Sequence, residues 1–218
     1  MGPIYDCALE AELLAGMRLA RVAIGRGELV IVPTDTVYGI AADAFNPTAV
    51  QRLLDAKGRT RSSPPPVLLP GIPTMNALAE SVPDEVVALV QKFWPGALTV
   101  ILAAQTSLQW DLGETRGTVA LRMPSNRVVL ELLAETGPLA VSSANRAGEV
   151  PAASAADALT VFGDAVGVYL DDGPGGSVSS TIVDATPLAT PGGKLRIVRE
   201  GLILASEIRD VVGADRCE

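Results

Sequence analysis

ELVIVPTDTVYG, residues 28–39, joins a short apolar run rich in β-branched residues to a polar segment that begins after Pro33. Such a run predicts a buried β-strand, and the proline marks its end. In open α/β sheets, ligands bind in the loops beyond the carboxyl ends of strands. The stretch therefore predicts a strand and a first group of candidate site residues: Thr34, Asp35 and Thr36.

The rest of the chain alternates between short strand-like and helix-like patterns. Six further strands are predicted, at residues 97–103, 117–123, 138–142, 166–170, 180–184 and 194–199. Helices are predicted at residues 8–24, 46–56, 81–93, 126–136 and 154–162, with Asn46-Pro47 as one start signal and Ser81/Asp84 and Ser154/Asp157 as capping boxes. Because helices do not separate every pair of strands, we expect a mixed sheet with flanking helices, in an α/β (α+β) class. The length of 218 residues favours a single domain over residues 1–218.

The sequence contains no histidine. This excludes Ser-His-Asp and Cys-His nucleophile systems, and it excludes HExxH zinc sites. Chemistry must then use lysine, arginine, hydroxyls, carboxylates, main-chain amides or a bound metal. Cys7 and Cys217 lie far apart without CxxC spacing, so we expect two reduced thiols.

Two observations predict a cytoplasmic protein without a membrane span. The apolar stretch ALTVILAA at residues 97–104 is far shorter than the ~20 residues that cross a bilayer. The first sixteen residues carry acids where a signal peptide carries bases.

The formal net charge of -8 argues against a surface that coats nucleic acid, because such binding depends on neutralising phosphates. The bases are nevertheless clustered in three groups: Arg52, Lys57, Arg59 and Arg61; Arg116, Arg122 and Arg127; and Lys194, Arg196 and Arg199. Three local basic groups on an acidic protein favour a small anionic ligand. Polar residues that follow other predicted strands extend the candidate site: Ser142, Ser143 and Asn145, and Ser179, Ser180 and Thr181.

KGRTRSSPPP, residues 57–66, is the most informative basic segment. Lys57 and Arg59 lie two residues apart where a helix ends, so we expect neither side chain to be buried on a helix face. The Ser-Ser-Pro-Pro-Pro that follows favours a stiff, extended loop. Such a loop can place a lysine charge and a bidentate guanidinium along a triphosphate. A solvated basic loop is the alternative.

Seven motifs in order resemble the YrdC/Sua5 family of threonylcarbamoyl-AMP synthases. They are PTDTVYGIAADAF (33–45), KGRTRSSPPPVLL (57–69), FWPGALTVIL (93–102), VALRMP (119–124), SSAN (142–145), STIVD (180–184) and LRIVREG (195–201). The resemblance covers a core of about residues 15–203 and is to the single-domain members. It implies a twisted mixed sheet around a deep cavity. It also implies that L-threonine, bicarbonate or CO2, and ATP with Mg2+ condense to threonylcarbamoyl-AMP and pyrophosphate, a product that a tRNA threonylcarbamoyl-transferase complex takes up.

The resemblance also implies residue roles. Threonine is expected near Thr34, Arg122, Ser143 and Ser180. ATP is expected near Arg59, Ser63, Thr118, Asn145 and Arg199, with Lys57 beside the phosphates and the carboxylate. Lys57 and Arg59 are the predicted catalytic residues, and no side chain is assigned to a metal ion.

Three positions depart from the family pattern. Leu68 stands where many members carry a histidine that contacts threonine, and Ala147 and Ala153 stand where hydroxyls are usual. None of the three changes removes a charge from the predicted reaction centre. Two alternatives remain: a double-stranded-RNA-binding, tRNA-binding or ribosome-maturation module, and a paralogue of the same fold with little synthase activity.

Overall fold

The computed structural model describes residues 2–218, and this range contains ten strands and seven α-helices. The strands are β1 (Ile4–Asp6), β2 (Leu29–Val32), β3 (Gly39–Asp43), β4 (Val67–Leu68), β5 (Leu98–Ala103), β6 (Thr118–Arg122), β7 (Leu139–Ser143), β8 (Val166–Asp171), β9 (Thr181–Asp184) and β10 (Arg196–Arg199). The helices are α1 (Glu10–Gly25), α2 (Pro47–Lys57), α3 (Ile72–Leu78), α4 (Asp84–Phe93), α5 (Arg127–Thr136), α6 (Ala155–Phe162) and α7 (Ala205–Val212).

All ten strands form one sheet in the order β1-β8-β2-β3-β7-β4-β6-β5-β9-β10. Four neighbouring pairs are parallel: β1/β8, β8/β2, β4/β6 and β5/β9. The other five pairs are antiparallel. The expected mixed α/β fold is therefore confirmed.

Every predicted strand and helix is present, with ends shifted by a few residues. The sequence patterns missed five elements: β1, β3, β4, α3 and α7. Two predicted helix starts are correct, since Asn46 Oδ1 accepts from Ala49 N at 3.1 Å and Ser154 Oγ accepts from Asp157 N at 3.1 Å. The capping box predicted at Ser81 is wrong. Pro83, in an extended conformation, is the residue before α4, so Ser81 lies outside the helix.

Strand alternation separates a core face from a cavity face in the β5 half of the sheet. Leu98, Val100 and Leu102 point into an apolar cluster with α4 and α7, whereas Thr99 and Ile101 line cavities. Each fully buried Leu or Val contributes about 1.5–3 kcal/mol, and a one-residue slip would turn these side chains out of the core. Core packing thus determines which side chains of β5 reach the cavities. Of the helices in residues 2–218, none combines the length and apolar character that a membrane span requires.

Candidate active site

A cavity of about 130 Å³ lies where the ends of β2, β6 and β7 meet the start of β9. We call it the arginine cavity, because Arg59, Arg122 and Arg199 line it. Its serine and threonine hydroxyls come from Thr34, Thr36, Thr99, Ser142, Ser143, Ser179 and Ser180. No carboxylate is among the described residues that line it. The sequence prediction of a basic, hydroxyl-rich site at strand ends agrees with this lining.

A second cavity, of about 200 Å³, adjoins the first, and we call it the apolar cavity. It is lined mainly by prolines and aliphatic side chains: Pro64, Pro65, Pro66, Ile101, Leu112, Val119, Ala120, Ile182 and Val198. Thr118 lines this cavity, next to the stiff proline segment predicted from the sequence. An apolar slot beside a cationic one suits a ligand with a flat, weakly polar part and an anionic part.

The TDTVYG segment forms the wall of the arginine cavity through local hydrogen bonds. Thr34 Oγ1 donates to the carbonyl oxygen of Val37 at 2.6 Å, and Thr36 N donates to Thr34 Oγ1 at 3.2 Å. A Cβ at Gly176 would overlap the carbonyl oxygen of Thr36, so only glycine allows the loop after β8 to lie against this segment. The polar stretch after β2 is therefore a rigid wall.

Arg122 is held on three sides at the end of β6. Its Nη2 donates to Asp35 Oδ1 at 2.7 Å, its Nη1 donates to Thr36 Oγ1 at 2.9 Å, and its Nε donates to the carbonyl oxygen of Gly96 at 2.9 Å. Burial lowers the pKa of Arg122, and the charge of Asp35 opposes that shift. The guanidinium remains charged, because arginine is not deprotonated in proteins. Asp35 thus neutralises one of the three arginine charges.

Arg59 and Arg199 have no such partner. Among residues 2–218, neither has a carboxylate oxygen in an observed ion pair. Arg199 Nη2 donates to the carbonyl oxygen of Ser180 at 2.8 Å, and Arg59 Nη1 donates to Ser142 Oγ at 3.3 Å. Burial, and then the charge of Arg59, lower the pKa of Arg199. Two neighbouring cations that repel each other favour the binding of an anion, which would neutralise both.

Lys57 is not in a free loop, so the sequence expectation that it escapes burial is wrong. It is the last residue of α2 and is fully buried, because Gly58 adopts a left-handed conformation with φ 66° and turns the chain away while the lysine points inward. Its Nζ donates to the carbonyl oxygen of Ser143, to that of Asn145 at 2.7 Å and, weakly, to Asn145 Oδ1 at 3.5 Å. Burial, and then Arg59, lower the pKa of Lys57 to about 7. Lys57 therefore positions the turn after β7.

Four predicted threonine contacts, Thr34, Arg122, Ser143 and Ser180, line one cavity together. Leu68 lines the same cavity with 3% of its surface exposed, so an aliphatic side chain occupies the position where the family resemblance led us to expect histidine. Arg59 and Arg199 share this cavity with the predicted threonine contacts.

The other predicted ATP residues are more scattered. Ser63 is exposed and lines neither cavity, and Asn145 is buried in the turn after β7. Asn145 Nδ2 donates to the carbonyl oxygens of Arg146 and Glu149, so this side chain supports the turn. Ala147 contributes through its backbone, since its N–H donates to the carbonyl oxygen of Lys57 at 2.9 Å.

The sequence analysis missed Thr99, which lines both cavities. The signal was present, because Thr99 is the one polar residue in the alternating β5 pattern LTVILA. No group of three or more His, Cys, Asp or Glu side chains able to hold a metal occurs within residues 2–218.

Comparison with known proteins shows the family of the chain. Residues 22–201 match the Sua5/YciO/YrdC family model, which is described as telomere recombination. A relative from Mycobacterium tuberculosis, provisionally named a threonylcarbamoyl-AMP synthase, is 48% identical over 216 residues, 99% of this chain and 97% of its own length. The threonylcarbamoyl-AMP synthase of Pyrococcus abyssi is 32% identical over 202 residues, 92% of this chain and 58% of its own length.

A solved structure of Sua5 from P. abyssi complexed with L-threonine superimposes with a TM-score of 0.84 and 30% identity. The alignment covers 100% of this chain and 62% of the P. abyssi chain, so this chain spans about three fifths of that protein. The match of the family model over most of the chain, together with these relatives, shows that the chain belongs to the Sua5/YciO/YrdC family.

Proposed function

We propose that this protein is an L-threonylcarbamoyladenylate synthase, a nucleotidyltransferase that condenses L-threonine, bicarbonate or CO2, and ATP to threonylcarbamoyl-AMP and pyrophosphate. The observation that carries the proposal is the pair of unpaired guanidinium groups, Arg59 and Arg199, beside an apolar cavity. The names of the relatives and the L-threonine complex of the P. abyssi protein support it.

Threonine fits the arginine cavity by charge and by hydrogen bonding. Arg122 is the natural partner of the carboxylate, because its guanidinium is already fixed by Asp35 and Thr36. The hydroxyls of Thr34, Ser143 and Ser180 can bind the polar groups of threonine without adding charge. Leu68 and Val141 offer an aliphatic surface to its methyl group.

The nucleotide fits across both cavities. The base would lie against Pro64–Pro66 and Val198 in the apolar cavity, with Thr118 as a polar contact. The triphosphate would then reach Arg59 and Arg199. Mg2+ would accompany the phosphates and neutralise part of their charge.

The proposed reaction has two steps. The neutral amine of threonine adds to CO2 and loses a proton, which forms an N-carboxylate. An oxygen of this carboxylate then forms a bond to the α-phosphorus of ATP, and the bond from that phosphorus to the bridging oxygen breaks, so that its electron pair leaves with pyrophosphate. Both reactants of the second step are anions, so the protein must neutralise and align them, which needs no histidine. Lys57 contributes by holding the end of β7, which carries Ser143, and the turn that follows it.

The product is a mixed anhydride and must be passed to a nucleophile before water attacks it. We propose transfer to tRNA by a separate threonylcarbamoyl-transferase complex, as the resemblance implies. A weak direct contact of the basic groups with RNA is the alternative.

The deciding experiment is incubation of the purified protein with L-threonine, bicarbonate and Mg-ATP, followed by mass spectrometry for the adenylate and by measurement of pyrophosphate. We expect pyrophosphate release to require both threonine and bicarbonate. Arg59→Gln should abolish most of it, whereas Arg61→Gln, which changes an exposed neighbour in the same loop, should not. Pyrophosphate release that is independent of threonine would refute the proposal, and salt-sensitive RNA binding without adenylate formation would favour the RNA-binding alternative.

A further inference from the structure

Thr99 occupies the junction of the two cavities. Three residues line both of them, Pro66, Thr99 and Ile182, and only Thr99 has a side chain that can form hydrogen bonds. Thr99 on β5 and Ile182 on β9 are direct partners in a parallel strand pair, so sheet register fixes the junction. Thr99 is buried, with 1% of its surface exposed.

The Thr99 hydroxyl belongs to a short chain of hydrogen bonds that starts at a cation. Arg199 Nη2 lies 3.4 Å from Ser180 Oγ, and Ser180 Oγ lies 2.9 Å from Thr99 Oγ1. Ser180 Oγ accepts a hydrogen bond from Arg199, and its own hydroxyl hydrogen can then be donated to Thr99 Oγ1. No other hydrogen bond of the Thr99 hydroxyl is observed within residues 2–218, so its own hydrogen is left for a ligand. The positive charge of Arg199 would polarise this chain and strengthen the last donor.

If threonine fills the arginine cavity and the nucleoside fills the apolar cavity, the oxygen of the N-carboxylate and the α-phosphorus of ATP meet at the junction of the two cavities. This step rests on the proposed function. We infer that Thr99 is a further catalytic residue, whose hydroxyl donates to a non-bridging oxygen of the α-phosphoryl group while the new O–P bond forms and pyrophosphate leaves. A neutral donor aimed at the point where charge develops stabilises the transition state more than the bound substrates.

The test compares Thr99→Val, which keeps the shape and β-branching, with the unmodified protein. Loss of one such donor should lower kcat about a hundredfold, with the KM values for threonine and ATP changed by less than about threefold. Thr99→Ser, which restores the hydroxyl, should recover most of kcat. The matched control is Thr160→Val, which removes a hydroxyl from α6 whose one observed hydrogen bond within residues 2–218 is to the carbonyl oxygen of Ala156.

A second readout reports on the contact itself. The two diastereomers of ATP with sulfur at one non-bridging α-position should react at different rates, because sulfur accepts hydrogen bonds poorly. Thr99→Val should reduce this rate ratio about tenfold or more, whereas a purely structural role of Thr99 would leave it unchanged. If Thr99→Val does not fold, Thr99→Ala is judged by the same criteria.

A fall in kcat of less than about tenfold, a change confined to KM, or an unchanged diastereomer ratio would each overturn the role of Thr99. Adenylate formation by the unmodified protein shows whether such a result contradicts only the role of Thr99 or also the proposed function. If it forms the adenylate and Thr99→Val remains active, only the inference about Thr99 is wrong. If it forms no adenylate from threonine and bicarbonate, the proposed function is wrong and the inference falls with it.

Discussion

Arg122 and Asp35 form a nearly buried ion pair at the wall of the arginine cavity, with 2.7 Å between Nη2 and Oδ1 and side-chain exposures of 7% and 15%. The backbone N–H of Ser125 donates to the same carboxylate oxygen at 2.9 Å. Asp35 therefore links the TDTVYG segment to the end of β6. Since it cancels one guanidinium charge, the unpaired charge of the cavity lies mainly on Arg59 and Arg199.

We expect Asp35→Asn to destabilise the protein by about 3–5 kcal/mol, because it leaves the Arg122 charge buried and uncompensated. Urea unfolding measures this loss. The double variant Asp35→Asn/Arg122→Met should recover most of it, since both charges are then gone and the methionine fills similar space. Equal instability of the single and double variants would show that the loss does not come from the unpaired charge.

The segment after α7 is fixed to α4 by a second ion pair, in which Arg216 Nε donates to Glu85 Oε1 at 2.9 Å. This hydrogen bond lowers the pKa of Glu85. A carboxyl group with a lowered folded-state pKa stabilises the fold above its unfolded pKa of about 4.3 and loses that contribution as pH falls through the lowered value.

We therefore expect Glu85→Gln to cost about 1 kcal/mol or less at pH 7 and nothing well below pH 4, because the pair is partly exposed. Chemical unfolding of both proteins across this pH range measures the difference. The control is Glu149→Gln, since Glu149 is exposed and has no observed ion pair in the described part of the chain. If the difference in unfolding free energy between Glu85→Gln and the unmodified protein stays constant with pH, the ion pair with Arg216 does not lower the pKa of Glu85.

The sequence predicts the elements that local patterns determine. β2 was predictable because it is a continuous apolar run, and β5 because it is apolar at every position except Thr99. β3, with the sequence GIAAD, carries little strand signal, and it forms because β2 and β7 pair with it on both sides. β4 has only two residues and depends in the same way on β6 and β7.

The same limit applies to the site. Several of the hydroxyls and arginines that follow predicted strands line one cavity, because the ends of these strands lie close together, whereas Asn145 and Thr181 from the same groups do not line it. The pairing of Asp35 with Arg122 joins residues 87 positions apart, and no local pattern indicates it. The direction of Lys57 depends on the left-handed conformation of Gly58, so a helix end alone could not show whether the lysine points inward or outward.

Lys57 itself should make stability depend on pH. Its folded-state pKa of about 7 lies below the ordinary lysine value of about 10.4. Between these values the unfolded chain binds a proton that the folded protein lacks, so the free energy of unfolding rises with pH. The stability gained through deprotonation of Lys57 is fully present above the unfolded pKa and is lost as pH falls through about 7.

We expect the unfolding free energy of the unmodified protein to rise from pH 7 to pH 9 relative to that of Lys57→Met, by at most about 1.4 kcal/mol per pH unit. Parallel urea titrations at several pH values measure this difference. Lys92→Met, at an exposed position of α4, should show no such trend. If the difference in unfolding free energy between the unmodified protein and Lys57→Met does not depend on pH, Lys57 stays protonated in the folded protein, where carbonyl oxygens accept its hydrogen bonds.

Arg199 offers a test in which binding and stability should move in different directions. Because Arg59 repels it, Arg199→Gln should leave the ligand-free protein as stable as before or slightly more stable. The same change removes a charge-assisted contact worth about 1.5–3 kcal/mol, so Mg-ATP should bind about ten- to a hundredfold more weakly. Thermal unfolding at increasing Mg-ATP concentration measures both quantities. Lys194→Gln, an exposed change just before β10, is the matched control, and equal stabilisation of Arg199→Gln and Lys194→Gln by Mg-ATP would remove Arg199 from the nucleotide site.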